Sequence, residues 1–590
     1  MNAPDVIKPR MQPFLPATVD FTNGKDSPRA FLERCIADLD AWEPKIGAFV
    51  ALNFAAARTA ADRSTERWRA SKPLSPIDGM PIGIKDIIET IDMATENGSP
   101  LYAGFQGNRD AASVAALRAA GGVIVGKTVT TEFAWMHPRA TRNPWDLTRT
   151  PGGSSSGSAA AVAVGAISVG IGTQVFGSIV RPSSFCGCFG FKPTVGAINR
   201  GGSHDALSQS THGPIAASLP EAWQVAYEIS RRAGGDPGYP GLYGPSTCPT
   251  PSRPRRLAVL ETDGWAVASA AAKAVFAEAS AKLKSASVTL VSRHESEKVA
   301  AVEDAIHDAR ELSHNIIAWE SRWPLNTYRA RDASKLSQPM HDLSVRAEAM
   351  TLDDYRRDIQ ERDRRRAVYQ ALAADFDACL TLSAPGAAPV GLGWTGDPAF
   401  VVPGSMLGVP AISLPVLQDG GLPLGLQLLG FADADGRYSL PRAACWLCWG
   451  EVDPPAAPRR VCIWSEHRSS LRAKRSNPGN VGRLATPGPP RRSAPRDDDS
   501  AQEASGRFLN ELQAFERSHI VITTLGRALG QLDFHPRRVL VRDDFKQVAD
   551  AVEPRSLFVV GRDDDPGREI RVCRLEHDVA RSRIFEPLGA

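Results

Sequence analysis

The sequence predicts an α/β protein with a smaller C-terminal unit, and three patterns in its 590 residues carry that expectation. Apolar residues recur at three-to-four spacing over residues 28–70, through Phe31, Ile36, Leu39, Phe54 and Ala57, with charges between them, as in helices that cover a core. Residues 111–120 form a short helical pattern that passes through Gly121 and Gly122 into the strand-like VIVGKT, the helix-to-strand unit of α/β folds. Residues 77–90, IDGMPIGIKDIIET, place a short apolar strand on either side of Lys85.

Bulk properties narrow the class. Hydrophobic residues make up 43% and charged residues 23% of the chain, proportions of a globular protein long enough for a large core and more than one domain. A formal net charge of +3 is small for this length and gives the chain no overall footprint for nucleic acid or a membrane surface. The nine cysteines, Cys35, Cys186, Cys188, Cys248, Cys379, Cys445, Cys448, Cys462 and Cys573, are odd in number and scattered, as free thiols in a reducing compartment would be. The opening MNAPDVIKPRMQPF has no apolar h-region, so a cytoplasmic location is expected.

Residues 151–200 concentrate glycines and hydroxyls more densely than a core helix or strand tolerates, because glycine loses most entropy on ordering. Such a composition builds a site. Residues 158–180 are uncharged, but Ala, Gly, Ser and Val dominate and Thr173 and Gln174 interrupt them, which fits a buried helix and turn rather than a membrane span. A helix through AAAVAVGA would start beside Ser154, Ser155 and Ser156, and a strand-like VFGSIV leads to Arg181 and Pro182, where regular pairing should end.

A serine attacks a carbonyl when one group takes its proton and others hold the oxyanion. The turn in GTQVFGS can aim consecutive backbone N–H groups at one point. A base is harder to find: the 11 histidines share no motif with any serine, and residues 151–200 contain none. A lysine kept neutral by burial is the alternative, and Lys85, among Ile82, Ile84, Ile87 and Ile88, has suitably apolar surroundings. The plain alternative is an edge-strand charge that reaches out to water.

Four blocks, GMPIGIKD, GKTVTTEFA, PGGSSSGSAAAVA and GTQVFGSIVRPSSFCGCFGFKPTVG, in this order resemble the amidase signature family, as does the later DPAFVVPGSMLGVPAISLPV followed by GLPLGLQLLG. The resemblance covers residues 28–450. It implies a central twisted mixed β-sheet with helices on both faces, and hydrolysis of amide C–N bonds by a Ser, cis-Ser, Lys triad that needs no metal or organic cofactor. Carried over by position, it makes Lys85 the base, Ser154 the bridging serine with a cis peptide, and Ser178, 24 positions further on, the nucleophile. It also puts the oxyanion hole on the backbone N–H groups of Val175, Phe176, Gly177 and Ser178, and a supporting hydroxyl on Ser155. The chain departs from the frequent GTDTGGSIR pattern: Gln174 replaces the aspartate, Phe176 a small residue, and the arginine comes one place later at Arg181. The glutamine and the shifted arginine resemble a branch that includes malonamidase-type enzymes, in which Arg181 would contact a substrate carboxylate; a buried structural ion pair is the other reading. Phe176 is expected to narrow the acyl site.

The Cys186 and Cys188 pair matches the family's FCG element and is expected to be structural, and Cys445 and Cys448 lack a second pair at zinc-finger spacing. Beyond residue 450 the resemblance stops. Residues 451–500, rich in Pro, Ser, Gly and Arg, read as a basic disordered linker, and residues 501–590 as a small α/β module of unrecognised function. In that module RFLNELQAFERSHIVITTLGRAL suggests a helix, and RRVLVRDD, SLFVVGRDD and EIRVCRLE suggest strands. The expected partner is a small-molecule amide, with a homodimer allowed and neither nucleic acid nor membrane involved. Two alternatives stay open: the amidase component of a tRNA-dependent amidotransferase, and a catalytically impaired relative acting as a binding protein.

Overall fold

Ser27 accepts a hydrogen bond from the Ala30 N–H and Pro28 takes the first helical position, so the first long helix starts at Pro28. It runs to Ile46 and stops where Gly47 adopts the left-handed region at φ 57°. A second helix, Phe54–Arg69, follows, and between the two lies a strand, β1 (Phe49–Leu52), which the helical pattern over residues 28–70 hides. The structure, a computed structural model, describes residues 8–436, Ala444, Leu447 and the strands at 520–524, 557–562, 571–574 and 586–587.

Ten further strands join β1: β2 (Pro81–Lys85), β3 (Val123–Thr128), β4 (Val169–Gln174), β5 (Phe189–Lys192), β6 (Thr211–Ala216), β7 (Arg256–Val259), β8 (Thr289–Val291), β9 (Ala378–Leu382), β10 (Ala411–Asp419) and β11 (Leu422–Leu429). They form one 11-stranded sheet in the order β1-β3-β2-β4-β6-β5-β10-β11-β9-β7-β8. β2 is parallel to β3 and β4, and β7 is parallel to β8 and β9; the other pairs are antiparallel, so the sheet is mixed. Side chains alternate across it, as the strand period requires. On β3, Val123 and Val125 pack with Leu32, Leu39, Ala57 and Ala160, whereas Ile124 packs in the other core with Val114, Leu117, Ala222 and Ile229. Helices therefore cover both faces. Between β8 and β9 come five more helices, of which Ala309–Glu320 reaches the site described below.

Two local expectations are corrected. The apolar run after Lys85 is a turn, not a strand, because the N–H groups of Ile87 and Ile88 both bond to the Lys85 carbonyl, at 2.8 and 3.0 Å. VFGSIV is not a strand either. β4 stops at Gln174, residues 175–178 turn, and Val180–Cys186 is helical with Arg181 and Pro182 in its first turn, where the proline's missing N–H leaves no bond unmade. The uncharged stretch divides between the helix Ser156–Ala163 and β4, and no helix among the described residues is long and apolar enough to cross a membrane.

The chain divides into two compact units, residues 1–473 and 474–590. The second contains an antiparallel sheet of β12 (Ile520–Thr524), β13 (Leu557–Arg562), β14 (Arg571–Arg574) and β15 (Glu586–Pro587) in that order. β13 and β14 fall in two of the expected strand runs. β12 occupies IVITT, inside the run expected to be helical, where β-branched side chains favour the extended chain. RRVLVRDD, the linker at 451–500, Cys445 and Cys448 lie outside the described residues.

Candidate active site

β2 and β4 run side by side and end at Lys85 and Gln174, which puts both at the carboxyl edge of the sheet, where open α/β sheets place their sites. Lys85 is fully buried. Its Nζ lies 2.7 Å from Ser154 Oγ and donates to Thr173 Oγ1 at 2.9 Å. Burial disfavours the ammonium and lowers the lysine's pKa to about 7, against the smaller opposing influence of the Asp205 carboxylate.

Ser154 follows a cis peptide bond at Gly153-Ser154. Its carbonyl accepts the Thr131 N–H at 3.3 Å. Ser155 Oγ stands 3.4 Å from both the N–H and the carbonyl of Thr173, so its hydroxyl clasps the strand that carries Lys85's second partner. That contact needs glycine at position 172, because a Cβ there would come within 2.7 Å of Ser155 Oγ. Arg181 is fully enclosed; its Nη2 donates to Gly153 O at 2.9 Å and to Thr395 Oγ1 at 3.0 Å, while Nε has no partner among the described residues. Burial pushes its pKa down to about 10, with Asp397 opposing and Arg310 adding to the fall.

The turn from Val175 to Ser178 is held from outside. Gln174 Oε1 accepts the N–H groups of Ile179 and Val180 at 2.8 and 3.0 Å, and Gln174 Nε2 donates to Ser405 Oγ at 2.9 Å. Ser405 Oγ in turn donates to Phe176 O at 2.9 Å, and Gln209 Nε2 donates to Val175 O at 3.1 Å. Among the described residues none supplies an acceptor to the N–H groups of Val175, Phe176, Gly177 and Ser178. Ser178 itself is 5% exposed. The Phe176 ring extends toward the helix Ala309–Glu320, 4.9 Å from the His314 ring and 5.7 Å, edge-on, from Trp135.

Lys85, Ser154 and Ser155 thus meet around Thr173, and the turn Val175–Ser178 follows directly after the end of that strand. Cys186 and Cys188 stand behind the site, fully buried, with burial raising both thiols and Cys186 Sγ donating to Pro151 O at 3.4 Å. Thr173, Ser405 and His314 are the site residues that sequence reasoning misses. Thr173 had a signal, a hydroxyl inside the GTQ block of a strand parallel to β2; Ser405 and His314 come from distant segments with none.

A family model described as Amidase matches residues 30–438. The chain belongs to the amidase family. A glutamyl-tRNA(Gln) amidotransferase subunit from Chloroflexus aggregans (strain MD-66 / DSM 9485) is 42% identical over 217 residues, 35% of this chain and 43% of that protein, so the match spans less than half of the relative's length. The protein of the same name from Synechococcus sp. (strain WH7803) is 30% identical over 454 residues, 69% of this chain and 91% of that protein. Among solved structures, native peptide amidase from Stenotrophomonas maltophilia is 25% identical with a TM-score of 0.60, covering 75% of this chain and 97% of that one. The mixed sheet with helices on both faces is therefore the architecture of solved amidases.

Proposed function

We propose that this amidase-family protein hydrolyses a carboxamide C–N bond, giving a carboxylate and ammonia or an amine, through an acyl-enzyme on Ser178. The 2.7 Å contact between Lys85 Nζ and Ser154 Oγ, in a fully buried pocket, carries the reading. Neutral Lys85 takes a proton from Ser154 as Ser154 takes one from Ser178, and Ser178 Oγ adds to the substrate carbonyl carbon. The oxyanion is received by the N–H groups of Val175, Phe176, Gly177 and Ser178, each such donor contributing about 3–4 kcal/mol of transition-state stabilisation. The C–N bond breaks as the proton returns through Ser154 to the leaving nitrogen, and water then cleaves the ester by the same relay. Ser155 holds Thr173, and through it Lys85, in place.

Arg181 serves this chemistry as an anchor for a substrate carboxylate. A buried guanidinium with no ion-pair partner among the described residues, and with Nε unbonded, supports that role.

The test is fluorophosphonate labelling of the folded protein. Ser178 is expected to react, Ser178→Ala to lose labelling altogether, and Lys85→Met to slow it by about 10²-fold or more. Because the base acts when neutral, the rate should rise with pH through about 7. Unlabelled Ser178 would sink the enzymatic reading and leave a binding protein. The likeness to amidotransferase components favours a second reading, a glutamine-dependent member of such a complex. Hydrolysis assays with glutamine, malonamate, aliphatic amides and aryl amides separate the two: release of ammonia from glutamine alone selects the second.

A further inference from the structure

This inference rests on the amidase reading above. Once Lys85 has taken a proton, its ammonium stands in a fully buried pocket whose two hydrogen-bonding partners, Ser154 and Thr173, are neutral hydroxyls. A buried charge without a counter-charge is costly. The adjacent Asp86 cannot serve. It lies across the strand, fully buried, 3.3 Å from Lys127 Nζ, and it also accepts the Glu96 N–H at 3.2 Å. Lys127 is fixed in turn on Thr95 Oγ1 at 2.6 Å and Ala94 O at 3.2 Å.

Residues 203–210 bring a second carboxylate. Ser203 bridges to Ile88 and the His204 N–H donates to Ile87 O at 3.0 Å, so this loop lies against the turn that follows Lys85. At its far end Gln209 is bonded to the carbonyl of Val175, at the start of the turn that carries Ser178. From outside, Glu320 accepts the Ser208 N–H at 2.7 Å and Arg362 donates to Ser208 Oγ at 2.6 Å. Between these anchors Asp205 is 7% exposed; Ser210 Oγ donates to its Oδ1, and its Oδ2 has no hydrogen-bond partner among the described residues.

We infer that Asp205 is the counter-ion of protonated Lys85, a positioning residue that acts on the base through space and does not touch substrate. Its charge opposes the effect of burial on Lys85, in the direction this role requires. The other titratable groups around Lys85 do not compete. His212, on β6, is fully buried and its pKa is held to about 3, by burial first and then by Arg200 and Lys85, so it is neutral throughout the working range. Asp86 and Lys127 satisfy each other.

The probe is the rate of fluorophosphonate labelling of Ser178 against pH, which needs no knowledge of the substrate. In the unaltered protein the rate rises through about pH 7. Asp205→Asn removes the charge that favours the ammonium, so the midpoint moves to lower pH, by roughly 0.5–1 unit. The plateau rate falls several-fold, because a less basic amine is a weaker proton acceptor. A merely structural role would lower the plateau and leave the midpoint in place. Asp205→Glu restores the charge and is expected to keep the original midpoint; Asp205→Ser repeats the charge removal if the asparagine variant does not fold. A midpoint unmoved or raised in the charge-removing variants overturns the inference while leaving the amidase reading intact. Absence of labelling in the unaltered protein overturns both.

Discussion

Phe176 stands in the turn that follows β4, and its ring packs against His314 of the helix Ala309–Glu320. It is 6% exposed and touches His314 and Trp135. Phe176→Gly should therefore open the acyl site: the ratio of kcat/KM for benzamide to that for acetamide is expected to rise about tenfold, and an unchanged ratio would refute the narrowing role. The same substitution removes a buried aromatic ring and should cost about 3 kcal/mol or more in a denaturant titration. At this scale the burial of Lys85 was legible from the isoleucines that flank it, and the glycine- and serine-rich segment marked a site region, but only the family resemblance singled out Ser154 within that segment. Their surroundings were less legible. His314 lies on a helix whose apolar stripe reads as ordinary core, and only the folded chain brings that ring, with its pKa lowered to about 4 by burial and by Arg346 and Arg310, against Phe176.

Elements, more than single side chains, hold the turn from Val175 to Ser178. Gln174 ends β4 and, through one carbonyl oxygen, starts the helix Val180–Cys186, while its amide nitrogen reaches Ser405 in the helix Val402–Met406, 231 positions away. Ser405 closes the brace on the Phe176 carbonyl. Ser405→Ala leaves a buried amide N–H and a buried carbonyl without partners, a penalty of about 1–3 kcal/mol each. Steady-state kinetics should show kcat reduced by about tenfold or more with KM little changed, since the donors lose alignment mainly in the transition state; an equal rise in KM would point instead to loss of substrate binding. This brace explains why VFGSIV misleads. Its branched and aromatic residues carry strand propensity, but the Gln174 side chain takes the N–H groups that a ladder would have used. Nothing local in the sequence announces that substitution, whereas the helices within residues 28–70 were legible from their three-to-four spacing and β3 from the helical pattern that leads into VIVGKT.

For the whole molecule the question is where the catalytic unit ends. All strands of the large sheet are complete by Leu429, and the family match ends at residue 438. Yet Ala444 and Leu447 are buried in the same core as Leu428 and Leu429, so the unit needs chain beyond the last strand. Among the described residues, the strands at 520–587 form one antiparallel sheet of their own. A chain ended after Ala473 is therefore expected to label at Ser178 at the full-length rate and to unfold at the same temperature. One ended after Gly436 uncovers the surfaces under Ala444 and Leu447. Burial of a leucine contributes about 1.5–3 kcal/mol. That shorter chain should unfold several degrees lower and bind a hydrophobic dye that the longer one excludes. If the chain ended at Ala473 instead aggregates or loses labelling, residues 474–590 are part of what stabilises the amidase unit, and neither the division at residue 473 nor the expected end of the amidase domain at residue 450 marks the end of that unit.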